Sequence, residues 1–274
     1  MDSMEIVILM GCGIFSAIFL LQWYGRVTEV WHTKRGGGGR LLLKILPLFC
    51  AAIVLVTLIN FASFDVVDSF LYVLFYLAIG MAWLRASLFL MFMFFDLSWL
   101  DDAIERVNPA AVIAVAGGAI GATLIYSGAN IGDGPGWWCV FFAGGLGMLA
   151  WLVLGKIAGG IADVFERITV GRDVACALRT AGFLIATGLL LGRASAGDWT
   201  SASSTVIEFA DGWPAIGFGA IFVIMECAYG VVKVRRGAQQ PSPVIAACIG
   251  ALYIAAAVLC LIYLPPLPIN PIYA

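Results

Sequence analysis

Eight long apolar segments, separated by short polar connections, constrain the fold of this chain more than any other feature. A helix of about 20 apolar residues is needed to cross about 30 Å of hydrocarbon, where backbone groups find no water. The chain is 62% apolar and 12% charged, which excludes a water-soluble globular protein. We therefore predict an all-α polytopic membrane protein. The predicted spans are 5–24, 42–61, 69–95, 109–127, 138–158, 174–192, 213–233 and 243–264.

The connections between these spans differ in charge on the two sides of the membrane. Nearly all Lys and Arg residues lie on one side, whereas the other side carries Arg193 beside several Asp and Glu residues. Cationic connections stay in the cytoplasm, so both termini are predicted to lie outside it. Trp23 and Trp99 fall at the cytoplasmic boundary, where tryptophan rings anchor helices among lipid headgroups.

An internal repeat appears when the chain is shifted by 65 residues. The shift places Asn108-Pro109 over Asp173-Val174, Gly117 over Gly182 and Asp133 over Asp198. The pattern predicts tandem two-helix hairpins within a single integral membrane domain, arranged as a pseudo-symmetric bundle. The predicted hairpins are 1–64, 65–132, 133–198 and 199–274, of which the middle two are the most similar.

The repeated positions predict local structure. Asn108, Asp173 and Ser242 are expected to cap helix N-termini, since each side chain accepts a hydrogen bond from a free backbone amide. Glycines spaced four apart form a groove on one helix face, which lets a neighbouring backbone approach closely. Such pairs are Gly117/Gly121, Gly155/Gly159 and Gly188/Gly192.

Two segments, Asn108–Gly121 and Arg172–Gly188, resemble the YjfL-like proteins, a family built on a two-helix domain of unknown function. The shared motif is an Asn, a run of small residues and spaced glycines, although Asp173 stands where the Asn is expected. The resemblance covers residues 95–200. It implies a bacterial inner-membrane protein near partners that act in membrane stress, and it implies no assigned activity.

A charge inside a predicted span is costly and marks a candidate site, and Arg85 and Glu226 are the clearest two such residues. Arg85 and Glu226 lie roughly 25 Å and 20 Å from the same side at 1.5 Å per residue, so they are close enough in depth to pair. Three interpretations stay open: a structural clamp, an arginine that reaches the headgroups, and a polar cavity or ion path. Arg179 lies near the cytoplasmic face and would join Arg85, Lys44 and Lys156 in a basic vestibule for anions or anionic lipid.

Two basic clusters in cytoplasmic connections are predicted to contact anionic lipid or a protein partner. The glycine-rich first connection lacks the Gly-Lys-Ser/Thr ending of a phosphate-binding loop. Membrane lipids are the expected partners, a cytoplasmic or membrane protein and a second copy of the chain are left open, and the net charge of −2 gives no reason to expect nucleic acid. The cluster residues are Lys34, Arg35, Arg40, Lys233, Arg235 and Arg236.

The residues available for catalysis are few. The chain has a single histidine, its seven cysteines form no CxxC pair, and it has no HExxH motif. We therefore predict no metal, no cofactor and no enzymatic activity. Three aspartates outside the cytoplasm, Asp65, Asp133 and Asp198, are expected either to ring an outer mouth or to cap loops. The predicted function is a non-enzymatic membrane component that supports a partner in envelope or membrane-stress maintenance, and the alternative is a channel or transporter that uses the Arg/Glu pair.

Overall fold

The computed structural model describes residues 1–33, 39–236 and 242–272, and within these ranges eight helices are long and apolar enough to cross a membrane. They coincide with the eight predicted spans, which confirms the all-α membrane class. The first helix is longer than predicted. These helices are α1 (Ser3–Thr33), α2 (Gly39–Asn60), α4 (Phe70–Phe95), α5 (Pro109–Ala129), α6 (Trp137–Ala162), α8 (Val174–Ala194), α10 (Pro214–Arg236) and α11 (Pro243–Tyr263).

Short helical segments lie in the connections. α3 and α9 precede α4 and α10, and a 3-10 turn follows α9. A π-helix lies between α4 and α5, and α7 lies in the equivalent place between α6 and α8. The bounds are α3 Phe64–Val67, the π-helix Trp99–Glu105, α7 Val164–Thr169, α9 Ala202–Glu208 and the 3-10 turn Phe209–Gly212.

The long helices form two layers. In one layer α2, α5, α8 and α11 lie side by side in that order and run in the same direction. In the other layer α1, α4, α6 and α10 run in the opposite direction and cover one face of the first. The most apolar windows of α5 and α8 are 83% and 78% buried, against 11% in α1 and 22% in α11. The centre of the protein is therefore the α5–α8 pair.

Three predicted N-caps are confirmed. The Asn108 side chain accepts hydrogen bonds from the amides of Ala110 and Ala111, Asp173 accepts from Cys176, and Ser242 accepts from Val244. The side-chain Nδ2 of Asn108 also donates a hydrogen bond to the Ile168 carbonyl oxygen, at 2.8 Å. This residue therefore caps α5 and at the same time fastens it to α7.

Glycines bring the backbones of α5 and α8 into direct contact, as their spacing predicts. A Cβ atom on Gly188 would lie 2.5 Å from the Gly121 Cα, and one on Gly121 would lie 2.4 Å from the Leu184 carbonyl oxygen. These distances are too short for any side chain, so the two helices pack as closely as backbones allow. Gly182 and Gly250 make the same kind of contact between α8 and α11.

The pair Gly155/Gly159 does something different from the prediction. Among the described residues, the nearest atoms to a Cβ on these glycines belong to the rings of Phe95 and Phe165 and not to a neighbouring backbone. The two rings stack with centroids 4.6 Å apart. The groove on α6 is therefore filled by aromatic side chains from the last residue of α4 and from α7.

The second and third predicted hairpins share unusual backbone geometry. Each has a left-handed aspartate after its first long helix, a left-handed residue just before the next N-cap and a glycine with positive φ after the second helix. These similarities agree with the predicted repeat, which for the whole chain stays a prediction. The matched pairs are Asp96 and Asp163, Val107 and Arg172, and Gly132 and Gly197.

We name the two ends of the bundle the basic end and the acidic end after the charge asymmetry predicted from the whole sequence, although the two connections described at the basic end carry seven acidic residues and three arginines. The basic end contains connections 96–108 and 163–173, and the acidic end contains connections 61–69, 130–136 and 195–213 together with tail 264–272. At the acidic end the connections are hydrogen-bonded edge to edge: the Gly197 amide donates to Ile131 at 2.8 Å, and the Asp198 amide donates to Pro268 at 3.0 Å. The tail thus lies across the bundle.

The predicted headgroup-anchoring role of Trp23 and Trp99 is wrong. Trp23 is fully buried and stacks on Trp99 with ring centroids 4.6 Å apart. Its indole nitrogen donates to the Leu43 carbonyl oxygen at 2.8 Å. Both rings are covered because the π-helix folds back against α1 and α5, which hydropathy alone does not reveal.

Candidate functional site

Glu226 lies at the centre of a buried group of charges near the basic end. Its carboxylate accepts a hydrogen bond from the Arg179 Nη2 at 2.9 Å and a second, very short one from the Arg179 Nε. It also accepts from the Arg167 Nη1 at 2.8 Å. One carboxylate is therefore held between two guanidinium groups from α7 and α8.

A fourth charged residue completes this group. The Arg167 Nη2 lies 3.4 Å from an Asp173 carboxylate oxygen, while the other oxygen of Asp173 caps α8. We call Asp173, Arg167, Glu226 and Arg179 the charge cluster. It has two positive and two negative members, so it is neutral, and it joins α7, α8 and α10. Arg179 lies six residues after the Asp173 cap, about 9 Å along the helix.

The charge cluster is almost closed to solvent. The side chains of Glu226, Arg179 and Asp173 are 0%, 1% and 3% exposed, and that of Arg167 is 20% exposed. Burial alone lowers the pKa of Arg167, but neighbouring acidic groups, Glu226 and Asp173 among them, raise it above its ordinary value. Arg167 therefore stays charged, as a neutral cluster requires.

Arg179 has one unsatisfied donor. Its guanidinium carbon lies 4.3 Å from the centroid of the Tyr229 ring, a cation–π contact that offsets part of the cost of burial. Within the part of the chain that the structure describes, its buried Nη1 atom has no hydrogen-bond partner. A buried donor of this kind marks a strained position or a place for a further acceptor.

A cavity of about 720 Å³ opens beside the charge cluster. Arg167 and Glu226 form part of its wall, with the end of α6, α7 and one face of α10 around them. Asp163 and Glu166 add two exposed carboxylates to the same wall. The cavity extends from Glu226 toward the basic end. The charged residues that line it have a net negative charge.

Arg85 does not take part in the charge cluster, so the predicted pair with Glu226 is not formed. Its guanidinium carbon lies 6.0 Å from the centroid of the Phe19 ring, beside α1. α4 and α10 belong to the same layer but are separated by α6, so similar depth does not bring their charges together. The predicted vestibule is not formed either, because Arg179 on α8 is buried against Glu226, whereas Arg85 lines a separate cavity.

The sequence interpretation missed Arg167. This residue lies in a connection, where the sequence did not distinguish it from the other cations predicted on the cytoplasmic side. One signal was present: the N-cap of α8 is Asp173, whereas the equivalent cap of α5 is the neutral Asn108. An acidic residue at a buried cap needs a nearby cation.

The basic clusters predicted to contact lipid or a partner are described only in part. Lys34 and Arg35 lie outside the described residues. Arg40 is partly exposed at the start of α2, and its buried Nε atom has no partner within the described ranges. The backbones of Lys233, Arg235 and Arg236 form the last turns of α10, and their side chains are outside the description.

The aspartates predicted at an outer mouth do meet at the acidic end. Asp65, Asp133 and Asp198 line one cavity of about 240 Å³, together with Glu5 and Glu208. The Asp198 carboxylate accepts hydrogen bonds from the backbone amides of Asp133 and Asn270, at 2.8 and 2.9 Å. Among described residues, no three acidic, cysteine or histidine side chains are placed to hold a metal ion. Asp198 therefore fastens loops together.

Comparisons with known proteins add no identification. No family model matches this chain, and none of the curated proteins or solved structures matches it. The resemblance to the YjfL-like family stays a prediction.

Proposed function

We propose that this protein is a non-enzymatic component of a bacterial inner membrane that supports a protein partner at its basic end. The observation that carries the proposal is the contact between the α5 and α8 backbones, from Gly117 on α5 to Gly192 on α8. Helices packed this closely leave no space for a solute between them. They also form a stiff centre on which a surface can be displayed.

The ordered connections at the basic end support the same proposal. Asn108 fastens α5 to α7, and Arg172 donates from its Nη2 to the Arg106 carbonyl oxygen at 3.1 Å. The side chains of Arg106 and Arg172 are exposed. The two connections thus form one rigid surface, on which exposed carboxylates outnumber the two exposed arginines, and a surface of this charge suits a basic patch on a cytoplasmic protein. The exposed carboxylates are those of Asp96, Asp101, Glu105, Asp163 and Glu166.

Photocrosslinking in intact cells tests this proposal. A crosslinking amino acid at the exposed position Glu166 should yield a discrete protein adduct, whereas the exposed position Pro135 at the acidic end serves as the matched control and should yield none. Neutralising the exposed Asp96 and Asp163 to Asn, which tolerates their left-handed backbone, should reduce the adduct. Equal adducts from both ends, or none from Glu166, would refute docking at the basic end.

A second candidate function is transport of a small ion or solute. The observation in its favour is the cavity that reaches Glu226 and Arg167, next to the unsatisfied Nη1 of Arg179. Reconstituted vesicles containing a pH-sensitive dye, with and without an ion gradient, separate the two candidates. If the protein gives more flux than empty vesicles and Glu226→Gln abolishes that flux, transport replaces the first proposal. If the flux equals that of empty vesicles, the first proposal is supported.

A further inference from the structure

Arg85 is a charged side chain without a charged partner inside a predicted span. It lies ten residues before the end of α4, about 15 Å from that end. Across the described residues, no carboxylate or carbonyl oxygen pairs with its guanidinium, which lies beside the Phe19 ring, and the Arg85 residue is partly exposed. An arginine at this depth is costly in hydrocarbon unless an anion or water reaches it.

The groove around Arg85 has one polar and one apolar wall. The cavity there has a volume of about 410 Å³. Gln22 and Arg26 from α1 and Ser98 from the basic end form the polar wall. The apolar wall is the face of α4 that carries Leu88, Phe89 and Phe92.

The charges in this groove favour an anion. Arg26 and Arg85 contribute two positive charges and Asp101 one negative charge, so the lining is net positive by one. The Asp101 carboxylate accepts a hydrogen bond from the Ser98 hydroxyl at 2.8 Å. Arg26 has only a loose contact with Glu29, at 3.9 Å, and both side chains are more than half exposed. Both guanidinium groups therefore have donors to offer.

We propose that this groove binds an anionic phospholipid from the membrane leaflet at the basic end. Arg26 donates hydrogen bonds to the headgroup phosphate near the basic end, for which the forked guanidinium geometry is well suited, and Arg85 donates from deeper in the groove to the ester oxygens of the same lipid. The glycerol backbone and the first carbons of an acyl chain lie along Phe92 and Phe89, which are 47% and 52% exposed and lie between Arg85 and the basic end. The apolar wall distinguishes a lipid from a soluble anion, because an anion alone would leave these rings uncovered.

Native mass spectrometry of the full chain in detergent tests this site. Phosphatidylglycerol and phosphatidylcholine with the same acyl chains are added at equal concentration. We expect one retained phosphatidylglycerol molecule, with retention about tenfold weaker in Arg26→Gln, which loses the phosphate contact, and about fivefold weaker in Arg85→Gln. Arg85→Lys should weaken lipid retention less than Arg85→Gln, because lysine keeps the positive charge but lacks the forked guanidinium group.

The controls separate this site from general attraction to a basic surface. Arg106→Gln removes an exposed cation at the same end, 60% exposed and paired with Asp102, and should leave retention unchanged. Equal retention of the two lipids, or an equal loss in Arg106→Gln, would overturn the proposal. Displacement of the lipid by an equal concentration of inorganic phosphate would assign the site to a soluble anion instead. Arg26→Gln keeps the test valid if Arg85→Gln does not fold, because the Arg26 side chain is largely exposed.

Discussion

Replacing Glu226 by Met removes the carboxylate that Arg167 and Arg179 share. Arg167 keeps Asp173 as a partner at 3.4 Å, whereas Arg179 keeps only the Tyr229 ring. The cluster changes from neutral to a net charge of plus one in a site that is closed to water. Arg179→Met alone has the opposite effect and leaves a net charge of minus one.

The expected cost follows from this charge balance. Removing one partner of a buried ion pair typically costs about 3–5 kcal/mol, because the other charge stays buried without compensation. We expect about 4 kcal/mol for Glu226→Met and about 3 kcal/mol for Arg179→Met, since Glu226 still holds Arg167 in the second variant. The double variant leaves the neutral pair Arg167–Asp173 and apolar side chains of similar length. Its cost should be below about 2 kcal/mol.

Reversible unfolding in mixed micelles, followed by far-UV circular dichroism, measures these free energies of unfolding. The matched control is Arg26→Met, which breaks the loose and exposed contact with Glu29 and should cost less than about 1 kcal/mol. If the costs of Glu226→Met and Arg179→Met add up in the double variant to within about 0.5 kcal/mol, the two residues do not interact and the charge cluster does not clamp α10 to α8.

Three further predictions concern packing, capping and the tail. Gly188→Ala should cost about 1–3 kcal/mol in the same unfolding assay, because the new Cβ has no space against Gly121. The control Gly145→Ala should not destabilise the protein, because nothing lies within 4 Å of its Cβ position. Equal effects of the two substitutions would contradict the packing argument. Asn108→Ala should cost about 1–2 kcal/mol, since both the cap and the bond to α7 are lost, and an unchanged free energy of unfolding would show that neither bond contributes. Asp198→Ala should speed hydrogen exchange in tail 264–272 by releasing the amide of Asn270, and unchanged exchange there would refute that attachment.

Local features of this protein were predictable from residues near one another in the chain. A cap depends on one side chain and the amides two or three residues later, so Asn108, Asp173 and Ser242 were identified correctly. Glycine spacing predicted close packing on α5 and α8, but not which helix would supply the neighbour. On α6 the same spacing received two phenylalanine rings instead.

The charged site shows where such inference ends. Position along the chain gives a residue's depth in the membrane, which is a single coordinate, and at similar depth Arg85 and Glu226 looked like partners. Lateral order is set by packing between helices, and that packing places α10 against α8 and α6 and places α4 against α1. The sequence by itself determined that eight apolar helices form and where their polar residues lie in depth, because hydrocarbon requires satisfied backbones and long apolar runs. Only the tertiary structure decided that Glu226 lies between Arg167 and Arg179 while Arg85 faces a groove, because side-chain shape and glycine contacts choose each helix's neighbours.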